Sequence, residues 1–363
     1  MSSQWGTNLK ISIFGESHGK GIGVILDGVP PGIKPDMEEI NFQMGRRAPA
    51  GNRLATKRQE KDTVEILSGI YNGYTTGTPV CAVIYNSDTR SEDYGKLEDI
   101  PRPGHADYTG KVRYRGYNDH RGGGHFSGRL TAPLVFAGAL AEQMLKEKGI
   151  VIGAYIKSIA DVESEPLDLT NVSEDVIRNF KLQALPVLGK CTAKRIEDTV
   201  SQVRSQGDSV GGEITCVALG VPAGIGSPIF DALESKIASL VFSVPAVKGI
   251  SFGAGFDITK MKGTCANDPY RIKDGKVVME TNNNGGILGG ITVGMPIIFT
   301  TAIKPVPSIY KPQKSVNLQT MEDTEITVKG RHDPCIVPRA VPVIEACCAL
   351  CLVDAWMDVI KWR

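Results

Sequence analysis

Hydrophobic and polar positions alternate over residues 9–14 and again over 22–26, which predicts two short strands joined by a glycine-flanked turn, Gly15-Glu16-Ser17-His18-Gly19-Lys20-Gly21. Asp36, with a second acid three residues on at Glu39, marks the start of a helix running to about residue 44. Alternation returns at 64–71 and 79–85, with Asn72-Gly73 between them as a turn signal. Residues 130–141 are apolar apart from Thr131 and read as a buried helix, with Ser127 as its N-cap and Pro133 near its start. Further strands are predicted at 151–159, 212–219, 247–256 and 291–303, and helices at 191–206, closed by Gly207, and at 230–242. The segment 161–186 is polar and irregular with one short helix, and a long apolar helix runs from about 338 to 362.

Strand pairs with short turns dominate, and the helices are not placed for regular crossovers, so the expected class is α+β. The two most apolar helices, about 128–147 and 338–360, each follow an Arg-containing polar loop and each close one half of the chain. This suggests a single domain over 1–363 with two pseudo-repeated halves, about 1–150 and 151–363, and two central helices covered by sheets.

Composition narrows the class further. With 41 Lys and Arg against 40 Asp and Glu, the charge balance gives no global pull toward nucleic acid or a membrane surface. No run of 18 residues is apolar throughout, so no transmembrane helix is expected. The eight cysteines sit mostly in apolar runs and lack the paired spacing of a zinc site, so they read as reduced core residues of a cytoplasmic protein with no metal.

Positive charge is instead local. Arg102-Pro103-Gly104-His105-Ala106-Asp107-Tyr108 is followed by Asp119-His120-Arg121-Gly122-Gly123-Gly124-His125-Phe126-Ser127-Gly128-Arg129, a Gly- and Arg-rich loop that feeds a helix. Backbone donors, a positive helix end and fixed cations in one place suit phosphate or carboxylate. Arg47, Arg53, Arg102, Arg129 and Arg331 lie in separate polar loops beside Gly or Pro; brought together, they would bind a small polyanion through bidentate forks. His18 and His105, on glycine-flanked turns, are candidate general acids, since an imidazole beside a polyanion holds its proton. Asp354, inside the last apolar helix, is either a structural acid or a buried base, and His332 and Asp333 would orient the Arg331 loop. Gly15-x-x-x-Gly19-Lys20 is one residue short of a nucleotide-binding loop, and no helix follows it. With 6% aromatics, an RNA-binding module is disfavoured. What remains is an enzyme acting on a small phosphorylated, carboxylated metabolite by acid–base chemistry, or a flavin oxidoreductase using the same pocket.

Three stretches resemble signatures of the chorismate synthase family: Gly15-Glu16-Ser17-His18-Gly19 with residues 24–28; Gly124-His125-Phe126-Ser127-Gly128-Arg129-Leu130-Thr131; and Arg331-His332-Asp333-Pro334-Cys335 with Glu345-Ala346. Arg102 to Asp107 and Thr75-Thr76-Gly77-Thr78-Pro79 agree as well, and the resemblance covers nearly the whole chain. It implies an α+β sandwich with helices between antiparallel sheets, assembled as a homotetramer. It implies a lyase that eliminates phosphate and the C6 proton of 5-enolpyruvylshikimate 3-phosphate in a 1,4-anti sense to give chorismate, using reduced FMN with no net redox.

By motif position, His18 would protonate the departing phosphate, His105 would protonate the reduced flavin, and Asp354 with Ser17 and Ser127 would assist removal of the C6 proton. Arg47, Arg53, Arg102, Arg129, Arg331 and Asp333 would hold the substrate. Flavin contacts would fall on His125, Phe126, Ser127, Pro245, Ala246, Gly289, Lys304, Pro305, Val306, Pro307, Ser308 and Arg331. The chain departs from many relatives at His125-Phe126, where Arg-Ser is frequent, and at Pro245, where Asn is frequent and where proline offers no N–H. Arg47 and Arg53 also align with positions linked to NADP. The resemblance implies the monofunctional type, in which NADPH acts only indirectly, through an external flavin reductant.

Overall fold

A computed structural model describes residues 3–48, 62–86, 98–328, 330 and 332–360. Arg53 and Arg331 lie outside these residues. Strands β1 (Gln4–Trp5), β2 (Lys10–Gly15), β3 (Gly21–Asp27), β4 (Val64–Ser68) and β5 (Val80–Tyr85) form one antiparallel sheet in the order β1-β2-β3-β5-β4. Strands β6 (Val151–Ile159), β7 (Val162–Glu163), β8 (Gly212–Leu219), β9 (Val247–Phe252) and β10 (Ile297–Ile303) form a second, in the order β9-β10-β8-β6-β7. Taking the four long strands of each sheet in chain order, both sheets place them first, second, fourth, third, and both carry a two-residue strand beside the first.

The helices are α1 (Met37–Arg47), α2 (Asp107–Arg113), α3 (Thr131–Lys146), α4 (Glu174–Leu182), α5 (Thr192–Ser205), α6 (Leu233–Ser243) and α7 (Val337–Ile360), with a single turn at Gly263–Ala266. Helix α3 packs on the first sheet, α7 on the second, and the two pack on each other, so the fold is an α+β sandwich with its apolar helices inside. That position explains why α3 is apolar all round: Leu134, Val135, Phe136 and Leu140 are buried on different sides of it. The two helices approach closely at Gly138, where a built Cβ would fall 2.2 Å from the Ala346 Cβ.

Two buried acids interrupt α7, and both are anchors. Glu345 takes both guanidinium nitrogens of Arg46 on α1 and the Ala154 N–H of β6 at 2.8 Å. Asp354 accepts from the Thr7, Asn8 and Leu9 N–H groups at 2.9, 2.6 and 3.0 Å and pairs with Lys236 of α6 at 3.1 Å. The strict apolar-run criterion used on the sequence overlooks one long apolar helix, which is enclosed in the core. Val337–Val359 could cross a membrane by length and composition, yet it is the buried core helix.

Most predicted elements are present, with informative changes of boundary. Asp36 caps α1 by accepting from the Glu38 and Glu39 N–H groups, and Ser127 caps a short turn at Gly128–Leu130 that leads into α3. The expected strand 64–71 breaks at Gly69, whose φ of +86° and contact with Val80 turn Ile70–Tyr71 into a separate hairpin over Asn72-Gly73. The 247–256 strand stops at Phe252, before Gly253 at φ +56°. In the 291–303 segment only Ile297–Ile303 joins the sheet. Helix α2 and a hairpin of Gln313–Asn317 with Glu322–Ile326 were not predicted, because both are short, polar and without apolar period. Of the cysteines, Cys216, Cys335, Cys347, Cys348 and Cys351 are buried as expected, whereas Cys191 and Cys265 are exposed.

The α3–α7 contact gives a direct test. Gly138→Val, which forces the two helices apart, should lower the Tm by roughly 5 °C or more in a thermal melt, whereas an unchanged Tm would show that the contact is not close-packed.

Candidate active site

A cleft of about 540 Å³ opens between the two halves. Its first-half wall is the loop around Gly104 and His105 and the segment from Gly122 to Thr131; its second-half wall is the end of α6 with the start of β9, the segment after β10, and the start of α7.

The glycine run is shaped for this wall. Gly122, Gly123 and Gly124 have φ of +60°, +86° and +52°, values that side chains with a Cβ rarely adopt. A Cβ on Gly122 would fall 2.4 Å from the His18 ring and 2.9 Å from the Ser17 hydroxyl, and one on Gly123 would fall 3.1 Å from His105 Nε2. The run therefore lies directly against both candidate acids. The Ser17 N–H donates to the Gly124 carbonyl at 3.1 Å, which docks the His18 turn onto the loop.

Beside it sits a buried charge cluster. Asp62 bridges Arg47 at 2.6 Å and Arg129 at 2.7 Å. Arg129 also donates to Asn86 at 2.6 Å, and the Asn86 amide donates in turn to the Glu16 and Gly19 carbonyls. Arg339 pairs with Asp333 at 2.5 Å and donates to the Arg47 carbonyl at 3.0 Å. Burial pushes the Arg47 guanidinium down to about 10, with Asp62 opposing and the neighbouring Arg339 and Arg129 adding to the fall. Asp62 is held below the usual carboxylate range: burial alone would raise it, but Arg47 and Arg129 outweigh that. Three guanidiniums against two carboxylates leave a net positive pocket that an anion would neutralise.

Farther along the cleft, Arg102 forms a fork with Asp107, Nε to Oδ2 and Nη2 to Oδ1, both at 2.7 Å, and donates to the Ser308 hydroxyl at 3.1 Å. His105 Nδ1 lies 2.6 Å from the same Asp107. Lys304 donates to the Gly104 carbonyl, and burial together with nearby Lys248 lowers its pKa. Ala246, whose N–H-free neighbour is Pro245, has φ +75°, a strained conformation for a residue with a Cβ, held on the cleft wall.

The structure thus brings Arg47, Arg102, His105, His125, Phe126, Ser127, Arg129, Pro245, Ala246, Lys304, Val306, Pro307, Ser308 and Asp333 to one cleft. Ser17 and His18 adjoin it through Gly122. Gly289 and Pro305 do not line it, and neither does Asp354, whose carboxylate is occupied by three backbone N–H groups and Lys236. In this structure Asp354 anchors the chain before β2 to α7, and the carboxylate that lines the cleft is Asp333. Arg47 is buried, tied to Asp62, Thr131 and the Gly128 carbonyl, and lines this cleft.

Two of the three positions that depart from the family pattern, His125 and Phe126, have structural roles. His125 donates to or accepts from Ser3 at 3.0 Å and reaches the Gly15 carbonyl at 2.8 Å, where Nδ1 must be the donor. Phe126 packs on Gly110 and tilts against Tyr114, with ring centroids 6.2 Å apart. Sequence reasoning missed Asp62, Asn86, Asp107, Lys248 and Arg339. Arg339 was hidden in an apolar helix, and only Asp107 stood inside a motif already singled out.

The chorismate synthase family model matches residues 9–357. Chorismate synthase of Thermococcus kodakarensis is 46% identical over 99% of this chain and 98% of its own length, and that of Pyrococcus abyssi is 49% identical over 96% of each. A crystal structure of chorismate synthase superposes with a TM-score of 0.77 at 29% identity, covering 98% of this chain and 93% of that one. With its signature stretches gathered around one cationic cleft and its relatives matched from end to end, the chain belongs to the chorismate synthase family.

Proposed function

We propose that this chain converts 5-enolpyruvylshikimate 3-phosphate to chorismate by 1,4-anti elimination of phosphate and the C6 proton, with reduced FMN required and no net redox. The observation that carries the reading is the cleft itself. Arg47, Arg129 and Arg339 outnumber their carboxylates at one end, Arg102 and Lys304 stand farther along, and two histidines face the glycine run between the walls. A substrate with two carboxylates and a phosphate needs such an array of forks.

The residues fit a flavin. Val244, Val306, Ala340 and Val343 give the cleft an apolar wall suited to a ring system, and Lys248 and Lys304 offer ammoniums to a phosphate, with Ser127 as a neutral hydrogen-bonding partner. When bound, reduced FMN supplies electron donation to the substrate and a proton acceptor. The protein's own residues do the rest. The arginines bind and orient the anionic groups. His18, held by the Ser17 turn against Gly122, delivers a proton to the departing phosphate. His105 presents Nε2 toward the glycine run and supplies a proton to the cofactor side. Asp333, on the cleft wall, together with Ser17 and Ser127, completes the polar lining near the transferred C6 proton. Fixed charges placed where charge develops lower the barrier without reorganisation during the reaction.

A homotetramer in the cytoplasm, an external flavin reductant, and one domain made of two related halves belong to the same proposal; the matching strand order of the two sheets supports the last of these. A flavin-dependent NAD(P)H oxidoreductase is not favoured by relatives that match over the full chain.

An anaerobic assay with reduced FMN and the phosphorylated substrate should release phosphate and chorismate in equal amounts over many turnovers without pyridine nucleotide. Flavin reduction seen only with NAD(P)H, and no chorismate, would sink the reading. His18→Ala and His105→Ala should each lower kcat by roughly 100-fold or more. Arg339→Gln should raise the substrate KM by roughly tenfold. Asp354→Asn separates anchoring from catalysis: melting should show a clear fall in Tm, because Lys236 loses its carboxylate, while kcat per folded molecule stays within about threefold.

A further inference from the structure

We propose that Asp107 is a positioning residue that locks the acid His105 and the substrate-binding Arg102 into one unit, keeping Nδ1 protonated in both charge states of the ring so that the transferable proton enters and leaves at Nε2. The inference rests on the functional reading above and goes beyond it by assigning a role to a residue outside the substrate, cofactor and acid sets.

The argument starts from donor and acceptor counts. A carboxylate only accepts, so the 2.6 Å contact between Asp107 Oδ1 and His105 Nδ1 requires the proton on Nδ1. The same oxygen accepts from Arg102 Nη2 at 2.7 Å. Oδ2 accepts from Arg102 Nε at 2.7 Å and from the Arg102 backbone N–H at 3.0 Å. Both oxygens are therefore committed, one of them to two partners with different tasks. The Asp107 carboxylate is only 5% exposed, so little water competes for these bonds. Its ionised form is favoured: burial opposes it, but the bonds from Arg102 and His105 prevail. The charged groups facing the imidazole are Asp107 and Arg102, whose Nη2 lies 3.0 and 3.3 Å from the two ring nitrogens.

The helix carrying Asp107 is itself seated. A Cβ on Gly110 would fall 2.8 Å from the Phe126 ring, so the ring occupies space that only glycine leaves. Lys111 ties the other side of α2 to the Glu98 carbonyl at 2.8 Å. Phe126, one of the departures from the family pattern, thus keys α2 to the glycine-rich loop, and through Asp107 it sets where His105 and Arg102 point.

Asp107→Asn tests the lock. With its oxygen on the Arg102 Nε side, the amide NH2 would face His105 Nδ1 as a donor, so the neutral ring would keep its proton on Nε2 and the imidazolium would give up Nδ1–H, away from the cleft; a tautomer change of this kind disables an otherwise intact acid–base histidine. Nitrogen-15 NMR of histidine-labelled protein at a pH where the ring is neutral, with the His105 signal identified by its loss in His105→Gln, should show the Nδ1–H tautomer in the wild type and Nε2–H in Asp107→Asn. Steady-state kinetics should show kcat lower by about 100-fold and substrate KM higher by about tenfold, since one change disturbs both the acid and the fork. An Nε2–H tautomer in the wild type overturns the proposal, and that measurement stands even if Asp107→Asn does not fold. Retention of Nδ1–H in the variant, or a kcat within threefold of wild type, overturns it as well. The tautomer is read without substrate or flavin. A wild type that made no chorismate would therefore strike the functional reading and leave the positioning result to be judged separately.

Discussion

Asp62 holds two buried guanidiniums, Arg47 and Arg129, and nearly everything at the cleft depends on that shared carboxylate. Each arginine reaches a different part of the chain. Arg47 comes from the end of α1, and Arg129 from the turn that starts α3 and, through Asn86, meets the His18 loop. Remove the acid and two buried cations are left facing each other; keep it and the walls are drawn together around an excess of positive charge. The cluster is only partly compensated, as the depressed Arg47 shows. The protein keeps this unfavourable arrangement because the sandwich around it is rigid. An incoming anion supplies the missing charge, and binding and local stabilisation become the same event.

The sandwich gains its rigidity from a helix pair that is apolar but not uniform. Gly138 lets α3 approach α7 at Ala346, and the two buried acids of α7 reach outward to fix other elements. Glu345 ties α7 to α1 and β6. Asp354 ties it to the chain just before β2, the strand that leads into the Ser17–His18 turn. The same helix also begins at the cleft with Arg339. One element therefore joins the core, the N-terminal strand and the anion pocket, so that the cleft walls share a common reference.

Much of this was legible in the sequence, for identifiable reasons. Long elements with strong periodicity, such as α3, α7 and the central strands, follow from patterning alone. The arginines and histidines stood out because charged residues beside glycines, outside apolar runs, have few structural reasons to be there. Their convergence was not legible: Arg47, Arg102 and Asp333 are far apart in the chain, and only the sheet order brings them together. Asp354 shows the converse limit. An acid in an apolar helix looks the same in sequence whether it serves chemistry or three backbone N–H groups. Asp62 and Arg339 were missed because a residue whose task is to balance another charge carries no local pattern. Helix α2 was missed because its position is set by the fit of Phe126 into Gly110, a contact between segments.

The matching order of the long strands in the two sheets has a consequence for descent. Each half supplies one sheet, one enclosed helix and one wall of the cleft, and neither half contributes both walls. If the halves arose by duplication, the half-length ancestor carried its anion pocket only where two chains met, and gene fusion turned a symmetric junction into one whose sides could diverge. The first half brings acids and arginines to the cleft and the second brings lysines, Arg339 and Asp333, so the two walls differ in chemistry although the sheets behind them share one strand order.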